Sequence, residues 1–370
     1  FVCKASMDEL GMGGTNKNAY TGAVHNPYDL DRIPGGSSGG CAALVAAGCV
    51  PLAIGTDTGD SIRKPAAYCG VVGVKPTYGR ISRYGIIPYA SSLDHVGYFT
   101  TNVKDAALAL EVLAGRDDHD MTSSYEAVKE YSKLLNGDLT NKTIGVFKTV
   151  MDEVKNEELK AQFNTLVSKL EEKGAKIVEV EMPKEYMELI APVYKTIANA
   201  EATANHSNLD GIRFGMREEG QNLEEVMTNT RTKGFSSYVR ARFVIGSYSL
   251  FEENQDRLFR KAQKIRRLIV QAYAKMFEEC DAVLSVAAPT IAPLINESTN
   301  VRFGVSSFAE EHMQLQNFSG YPSITLPLGK VDSMPVAVNL TCKPFEEQKM
   351  FDVSSAIEEC TGLKGQCLEG

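Results

Sequence analysis

The sequence predicts an α/β fold with a mixed, largely parallel central sheet that is covered by helices on both faces. Runs with strand character alternate with helical runs along the 370 residues. Residues 143–180 are patterned as strand, amphipathic helix and strand, and such a βαβ unit favours parallel pairing. The short apolar run Ala282–Val286 is typical of a buried strand.

The remaining elements follow from local signals along the chain. A short helix over 7–12 leads into a loop rich in Asn, Gly, Pro and Asp, and 41–50 is a helix of small residues. Further helices are predicted over 103–113, 156–173, 183–206, 249–279 and 346–359. Strands are predicted over 70–74, 86–88, 143–147, 176–180, 282–286, 323–326 and 336–340. No linker divides the chain, so we expect a single domain over 1–370.

Composition excludes several classes of function. The formal charge is −8 and the chain carries no basic run, which argues against direct binding of a nucleic-acid backbone. No apolar stretch approaches the ~20 residues of a membrane span. The eight cysteines form no CxxC pair and no metal-ligand spacing, so we expect reduced thiols, no metal and a cytoplasmic protein.

Two glycine-flanked serine clusters, at 34–40 and 55–61, stand out as candidates for chemistry. Ser37 and Ser61 lie 24 residues apart, and the run between them is small and apolar. A helix there offers little bulk to a core, so we expect it to hold its two ends in fixed places.

Four interpretations of these clusters compete. The glycines could serve tight turns alone, or the amides could form a phosphate nest, although a Walker lysine is absent. Residues 35–39 fit the G-x-S-x-G nucleophile elbow, but a polar loop precedes them where a strand is needed. The later histidines are expected to be structural or solvated: His95, His119, His206 and His312. In the fourth interpretation Ser61 is a nucleophile, Ser37 relays its proton, and a buried neutral lysine is the base.

Residues 34–40, 55–66 and 73–77 resemble the amidase signature family of serine amidohydrolases. Residues 78–85 and 90–94 are similar to the amidase subunits of tRNA-dependent amidotransferases, and the likeness extends over nearly the whole chain. The resemblance implies the amidase signature fold. It also implies a glutaminase that supplies ammonia for converting Glu-tRNA(Gln) to Gln-tRNA(Gln).

The resemblance assigns roles to residues of the two clusters. Ser61 resembles the nucleophile that forms the acyl ester, and Ser37 the cis-peptide serine that relays the proton. The amides of Thr58, Gly59 and Asp60 correspond to the oxyanion hole.

Three later residues are assigned to the substrate. Arg242 resembles the arginine that binds the glutamine carboxylate, Glu310 the acid that holds its α-amino group, and Tyr194 a pocket tyrosine.

The chain departs from the family at two functional positions. The family's catalytic lysine lies upstream of the Met-Asp-Glu segment at 7–9, so we expect an N-terminally truncated domain that lacks its general base. Asp60 stands where the family usually has glycine. Its charge would repel the oxyanion, so we expect its side chain to point away and to be neutralised by Arg63 or Lys64.

The resemblance also implies partners. A B subunit would bind the tRNA and use ATP and Mg, and a small C subunit would complete the complex. This chain itself would need no cofactor and would contact neither tRNA nor membrane. Two alternatives stay open: a free-standing amidase for small amides, and a truncated subunit kept as an inactive scaffold.

Overall fold

A computed structural model describes residues 1–298 and 307–368 of the chain. These residues form one eight-stranded sheet with the strand order β1-β3-β2-β7-β8-β6-β4-β5. The strands are β1 (Ala53–Asp57), β2 (Val72–Lys75), β3 (His95–Thr100), β4 (Thr143–Phe147), β5 (Lys176–Val180), β6 (Ala282–Val286), β7 (Ser323–Val331) and β8 (Met334–Cys342).

Helices connect and cover these strands. The longer ones are α1 (Gly39–Ala46), α3 (Val103–Leu113), α6 (Glu157–Glu172), α7 (Lys184–Asn205), α8 (Leu223–Gly234), α9 (Ser237–Leu250), α11 (Phe259–Met276) and α14 (Glu347–Thr361). The shorter ones are α2 (Arg63–Cys69), α4 (Tyr131–Leu134), α5 (Lys148–Met151), α10 (Glu252–Gln255), α12 (Phe308–Glu311) and α13 (Gln314–Ser319). Among these helices, none is both long and apolar enough to cross a membrane.

The α/β fold with a mixed sheet is confirmed, but the expected parallel majority is wrong. Only β4 has parallel neighbours, β5 and β6, while every other neighbouring pair in the described sheet is antiparallel. The sequence shows its βαβ unit clearly because an amphipathic helix separates the two strands. The antiparallel half rests on the β7–β8 hairpin, which turns at Asp332 and Ser333, both with positive φ.

Side-chain caps mark the starts of two predicted helices. Asn102 accepts a hydrogen bond from the amide of Asp105 at the start of α3, and Asn156 accepts from Leu159 at the start of α6. The nine residues of β8 are all buried, as expected for a central strand covered on both faces.

Three predicted elements differ from the structure. Residues 7–12 hold only a 3-10 turn, Glu9–Gly11. Residues 86–88 are exposed and follow a turn in which the Ile86 amide donates to Arg83 O, so they form no strand. The helix expected over 249–279 is interrupted because Phe251 is extended (φ −58°, ψ 142°), which ends α9 and begins α10.

Strands β1 and β3 escaped the sequence prediction because they carry glycine and polar residues. Gly55 and Gly97 lie opposite each other in this pair. A Cβ at Gly55 would lie 2.8 Å from Cδ1 of Ile62, and one at Gly97 would lie 3.0 Å from its Cγ1. The two glycines therefore form a floor on which Ile62 packs, directly beside Ser61.

Candidate active site

The two serine clusters meet in the structure. The Ser38 amide donates to Ser61 O at 3.3 Å. Ser38 Oγ accepts from the Thr56 amide at 3.1 Å and donates to Thr56 O at 3.0 Å. Helix α1 and strand β1 thus return the chain to the first cluster, which is the arrangement that the small-residue spacer predicts.

Ser37 lies in a buried turn that is hydrogen-bonded to the residue before the 3-10 turn. The Gly36–Ser37 peptide bond is cis, and the Asp8 amide donates to Ser37 O at 3.1 Å. The Asp8 carboxylate accepts from the amides of Asn16 and Asn18 at 2.9 and 3.0 Å. Burial raises the pKa of Asp8 to about 6 against the effect of these hydrogen bonds.

The Ser37 hydroxyl is the unusual group of this turn. Ser37 Oγ is buried and has no hydrogen-bond partner in the part of the chain that the structure describes. Two buried or nearly buried lysines have other partners: Lys75 Nζ donates to Pro76 O and Tyr321 O, and Lys64 pairs with Asp60. A buried hydroxyl without a partner is costly, so this position is suited to a further polar group.

Ser61 lies immediately before α2, and a buried ion pair shapes its loop. Arg63 donates to both carboxylate oxygens of Asp57, at 2.8 and 3.0 Å, and to Gly59 O at 2.9 Å. Asp57 also accepts from the Ile62 amide at 2.9 Å. Burial alone would raise the pKa of Asp57, but Arg63 holds it well below its usual range.

Arg63 also ties this loop to α13. Its guanidinium donates to Met313 O at 2.7 Å, to Gln316 Oε1 at 2.6 Å and to Asn317 Oδ1 at 2.8 Å. From the sequence, Arg63 was predicted only as a possible partner of Asp60. The signal that could have found its role is Asp57, six residues earlier at the end of a strand.

The backbone of the Ser61 loop presents free donors. Within the described residues, the amides of Gly59, Asp60 and Ser61 donate to no acceptor. The side chain of Thr58 is fixed by a hydrogen bond, in which its Oγ1 donates to the Asp94 carboxylate at 2.7 Å. Burial raises the pKa of Asp94 to about 6. Amides without acceptors beside a serine can stabilise an oxyanion.

Asp60 and Glu310 share one cation. Lys64 Nζ lies 2.8 Å from Asp60 Oδ2 and 3.3 Å from Glu310 Oε2. The expectation that Asp60 is neutralised therefore holds for Lys64, whereas Arg63 is committed to Asp57. The backbone at Asp60 is not left-handed, so a side chain here brings no φ strain.

Tyr194 packs against the Ser61 loop. A Cβ at Gly59 would lie 3.0 Å from both Cζ and Oη of Tyr194, so the phenol lies on the loop backbone. Burial raises the pKa of Tyr194 well above its usual value.

Arg242, on α9, is held by neutral groups. Its guanidinium donates to the hydroxyls of Tyr89 and Tyr238 and, at 3.3 Å, to Asn199 Oδ1. Over the described ranges no carboxylate lies within the 4.0 Å that would make an ion pair with this guanidinium. The sequence pointed to Arg242 but not to the three groups that hold it, two of which come from distant parts of the chain.

The histidines take no part in this arrangement. His95, His206 and His312 are buried and His119 is exposed, which fits the expectation that these histidines are structural or solvated. His312 Nε2 lies 3.0 Å from Ser285 Oγ in the core. Burial lowers the pKa of His206 to about 4 and that of His312 to about 3.

A cleft of about 1040 Å³ reaches the edge of the site. It runs along β1, and Thr58 and Tyr89 form part of its wall together with residues 1–5, 50–56 and 119–121. Across the described ranges no group of three or more His, Cys, Asp or Glu is arranged to hold a metal ion.

The chain matches known proteins over most of its length. The family model described as Amidase matches residues 1–351. The glutamyl-tRNA(Gln) amidotransferase A subunit of Fusobacterium nucleatum is 41% identical over 359 residues, which are 96% of this chain and 73% of that protein. The crystal structure of the glutamyl-tRNA(Gln) amidotransferase A subunit from Thermotoga maritima matches with a TM-score of 0.79 at 33% identity, over 96% of this chain and 72% of that one.

A second solved structure is similar at lower identity. Native peptide amidase from Stenotrophomonas maltophilia matches with a TM-score of 0.78 at 27% identity, over 97% of this chain and 73% of that one. The family match and the identities above agree with the amidase signature fold. The chain belongs to the amidase family.

Proposed function

We propose that this chain is the glutamine-hydrolysing subunit of a tRNA-dependent amidotransferase. The observation that carries the proposal is the contact between the two serine clusters, in which the Ser38 amide donates to Ser61 O, beside amides that lack acceptors. The 41% identity to the F. nucleatum protein favours this reaction over that of a free-standing amidase. The reaction class is acyl transfer to a serine.

In the proposed reaction Ser61 Oγ attacks the side-chain amide carbon of glutamine. The hydroxyl proton passes through Ser37 Oγ to a base, and the amides of Gly59, Asp60 and Ser61 stabilise the oxyanion. Collapse of the intermediate breaks the carbon–nitrogen bond, and the amide nitrogen takes up the proton and leaves as ammonia. Water then hydrolyses the acyl ester to glutamate and frees Ser61.

We place the base, a neutral lysine, outside the described residues. Support comes from Ser37 Oγ, which is buried and receives no hydrogen bond from them. A lysine amine held in a buried site loses its charge readily and could accept the proton. On this proposal the 370-residue chain alone turns over poorly or not at all.

Two charged regions favour an amino-acid amide as substrate. Arg242 retains its charge among neutral groups and could bind a carboxylate. Glu310 shares Lys64 with Asp60 beside the Ser61 loop, where its carboxylate could hold a substrate ammonium group while keeping its contact with Lys64. The ammonia would pass to partner subunits, of which B would bind the tRNA and use ATP and Mg, and C would complete the complex.

The test uses the chain expressed together with the lysine-bearing segment that the resemblance implies, and it measures ammonia release from glutamine by this protein alone and assembled with its partner subunits. We expect release from the assembly and a loss of at least ~1,000-fold in Ser61→Ala. Ser168→Ala, on the exposed side of α6, is the matched control. Hydrolysis that survives Ser61→Ala would refute the mechanism. Equal turnover without partners would support the free-standing amidase, and an inactive assembly would support the scaffold.

A further inference from the structure

Lys64 is nearly buried between two carboxylates at the site. Its side chain is 11% exposed, and those of Asp60 and Glu310 are 20% and 13% exposed. Its ammonium also donates to Glu310 O at 3.2 Å. Burial alone would lower the pKa of Lys64, but Asp60 and Glu310 raise it above its usual value, so the amine stays protonated.

The negative charge of Asp60 lies next to the nucleophile and needs a compensating cation. Asp60 directly precedes Ser61, and its amide is one of the donors without an acceptor. An uncompensated carboxylate on that residue would repel the negative charge that develops when Ser61 attacks a carbonyl. This need is specific to the Asp60 side chain, because a glycine in the same backbone conformation would bring no charge.

Arg63, the cation closest in sequence, does not compensate the charge of Asp60. Arg63 directs its guanidinium to Asp57, to Gly59 O and to three acceptors in 313–317. Lys64 Nζ is the cation that contacts Asp60, at 2.8 Å, one helical turn along the chain.

We propose that Lys64 is a positioning residue that holds the Asp60 carboxylate off the oxyanion position and compensates its charge. The contact with Glu310 ties this pair to α12, so the ammonium is fixed from two sides. The inference rests on the proposed function, because it assumes that Ser61 is the nucleophile. Lys64 is therefore required only while residue 60 carries a charge.

The test compares the wild type, Lys64→Met, Asp60→Asn and the double variant, each expressed together with the lysine-bearing segment that would supply the base. A small alkyl fluorophosphonate reports on Ser61: the oxygen–phosphorus bond forms, the phosphorus–fluorine bond breaks, fluoride leaves, and the hydroxyl proton goes to base or solvent. Intact mass gives the rate constant of labelling. We expect Lys64→Met to slow labelling at least about tenfold when Asp60 is present, and less than about threefold in the Asp60→Asn background.

Matched variants separate charge from structure. Lys64→Arg keeps the charge and should label within about threefold of wild type. Arg260→Met removes a cation from another Asp at i−4, at 2.8 Å, on an exposed surface and should have no effect. Thermal unfolding of every variant identifies loss of folding, and Lys64→Gln replaces Lys64→Met if that variant does not fold.

Each result decides the inference. Equal slowing in both residue-60 backgrounds, or no slowing with Asp60 present, would overturn it. If wild-type Ser61 labels but is indifferent to Lys64, the inference fails while the proposed function stands. If Ser61 labels in none of the variants, the proposed function fails and the inference fails with it.

Discussion

Replacing Arg63 with Met tests how strongly one buried ion pair stabilises the nucleophile loop. Both side chains of the Arg63–Asp57 pair are fully buried, at 2.8 Å. The variant leaves Asp57 charged, and among the described residues its carboxylate keeps only the Ile62 amide and Asn317 Nδ2 as donors. Removing one partner of a buried pair typically costs ~3–5 kcal/mol, so we expect the free energy of unfolding to fall by that amount.

Urea unfolding followed by circular dichroism measures this loss. Arg260→Met, which breaks an exposed pair with Asp256, is the control and should change the free energy of unfolding by ~0–1 kcal/mol. Adding Asp57→Asn to Arg63→Met should recover part of the loss, because the stranded charge is gone. A loss below ~1 kcal/mol for Arg63→Met, or no recovery in the double variant, would refute the reasoning.

The pH dependence of the Arg63→Met effect has a definite sign. The folded pKa of Asp57 is depressed, so the pair contributes stability that is fully present above the unfolded pKa of ~3.9 and is lost as the pH falls further. The difference between wild type and Arg63→Met should therefore be largest at neutral pH and should shrink below about pH 4. A difference that grows on acidification would contradict this.

Three further predictions concern the surroundings of the site. Burial raises the pKa of Asp94 to about 6 in the folded state, so the folded protein keeps this proton at a pH where the unfolded chain has lost it. The free energy of unfolding should therefore fall from ~pH 4 to ~pH 6, and urea midpoints should show a smaller fall in Asp94→Asn. Gly59→Ala should slow fluorophosphonate labelling, because its Cβ would lie 3.0 Å from Tyr194, whereas Gly14→Ala, with open space around its Cβ, should not. Arg242→Gln should weaken glutamine binding in calorimetry at least about tenfold and leave binding of a neutral primary amide unchanged.

The part of the fold that the sequence predicts is the part with clear periodicity. The unit β4-α6-β5 shows an amphipathic helix between two β-branched runs, and it is parallel as expected. Strands β1 and β3 have no such signal, because Gly55, Gly97 and buried polar residues interrupt their patterns. Their identity as strands depends on tertiary contacts that a local reading of the sequence does not contain.

The candidate site divides in the same way. The meeting of the two serine clusters was predictable because their glycine-rich flanks form long motifs, and the structure shows it in the hydrogen bond from the Ser38 amide to Ser61 O. Tyr89 and Tyr238 were not predictable, because a tyrosine that binds a guanidinium has the same local pattern as one in a core. Which of Arg63 and Lys64 pairs with Asp60 depends on the direction in which each side chain leaves the first turn of α2, and the sequence does not show that direction.

The two glycines beneath Ile62 set how closely the residue next to Ser61 packs on the sheet. Because Gly55 and Gly97 have no side chains, Ile62 packs directly against the backbone of β1 and β3. This contact determines how far the adjacent Ser61 lies from the sheet. A designer who grafts residues 55–66 onto another sheet must transplant the two floor positions as well. Without them a Cβ at either position would press on Ile62 and displace the neighbouring Ser61, even if every residue of the visible motif were kept.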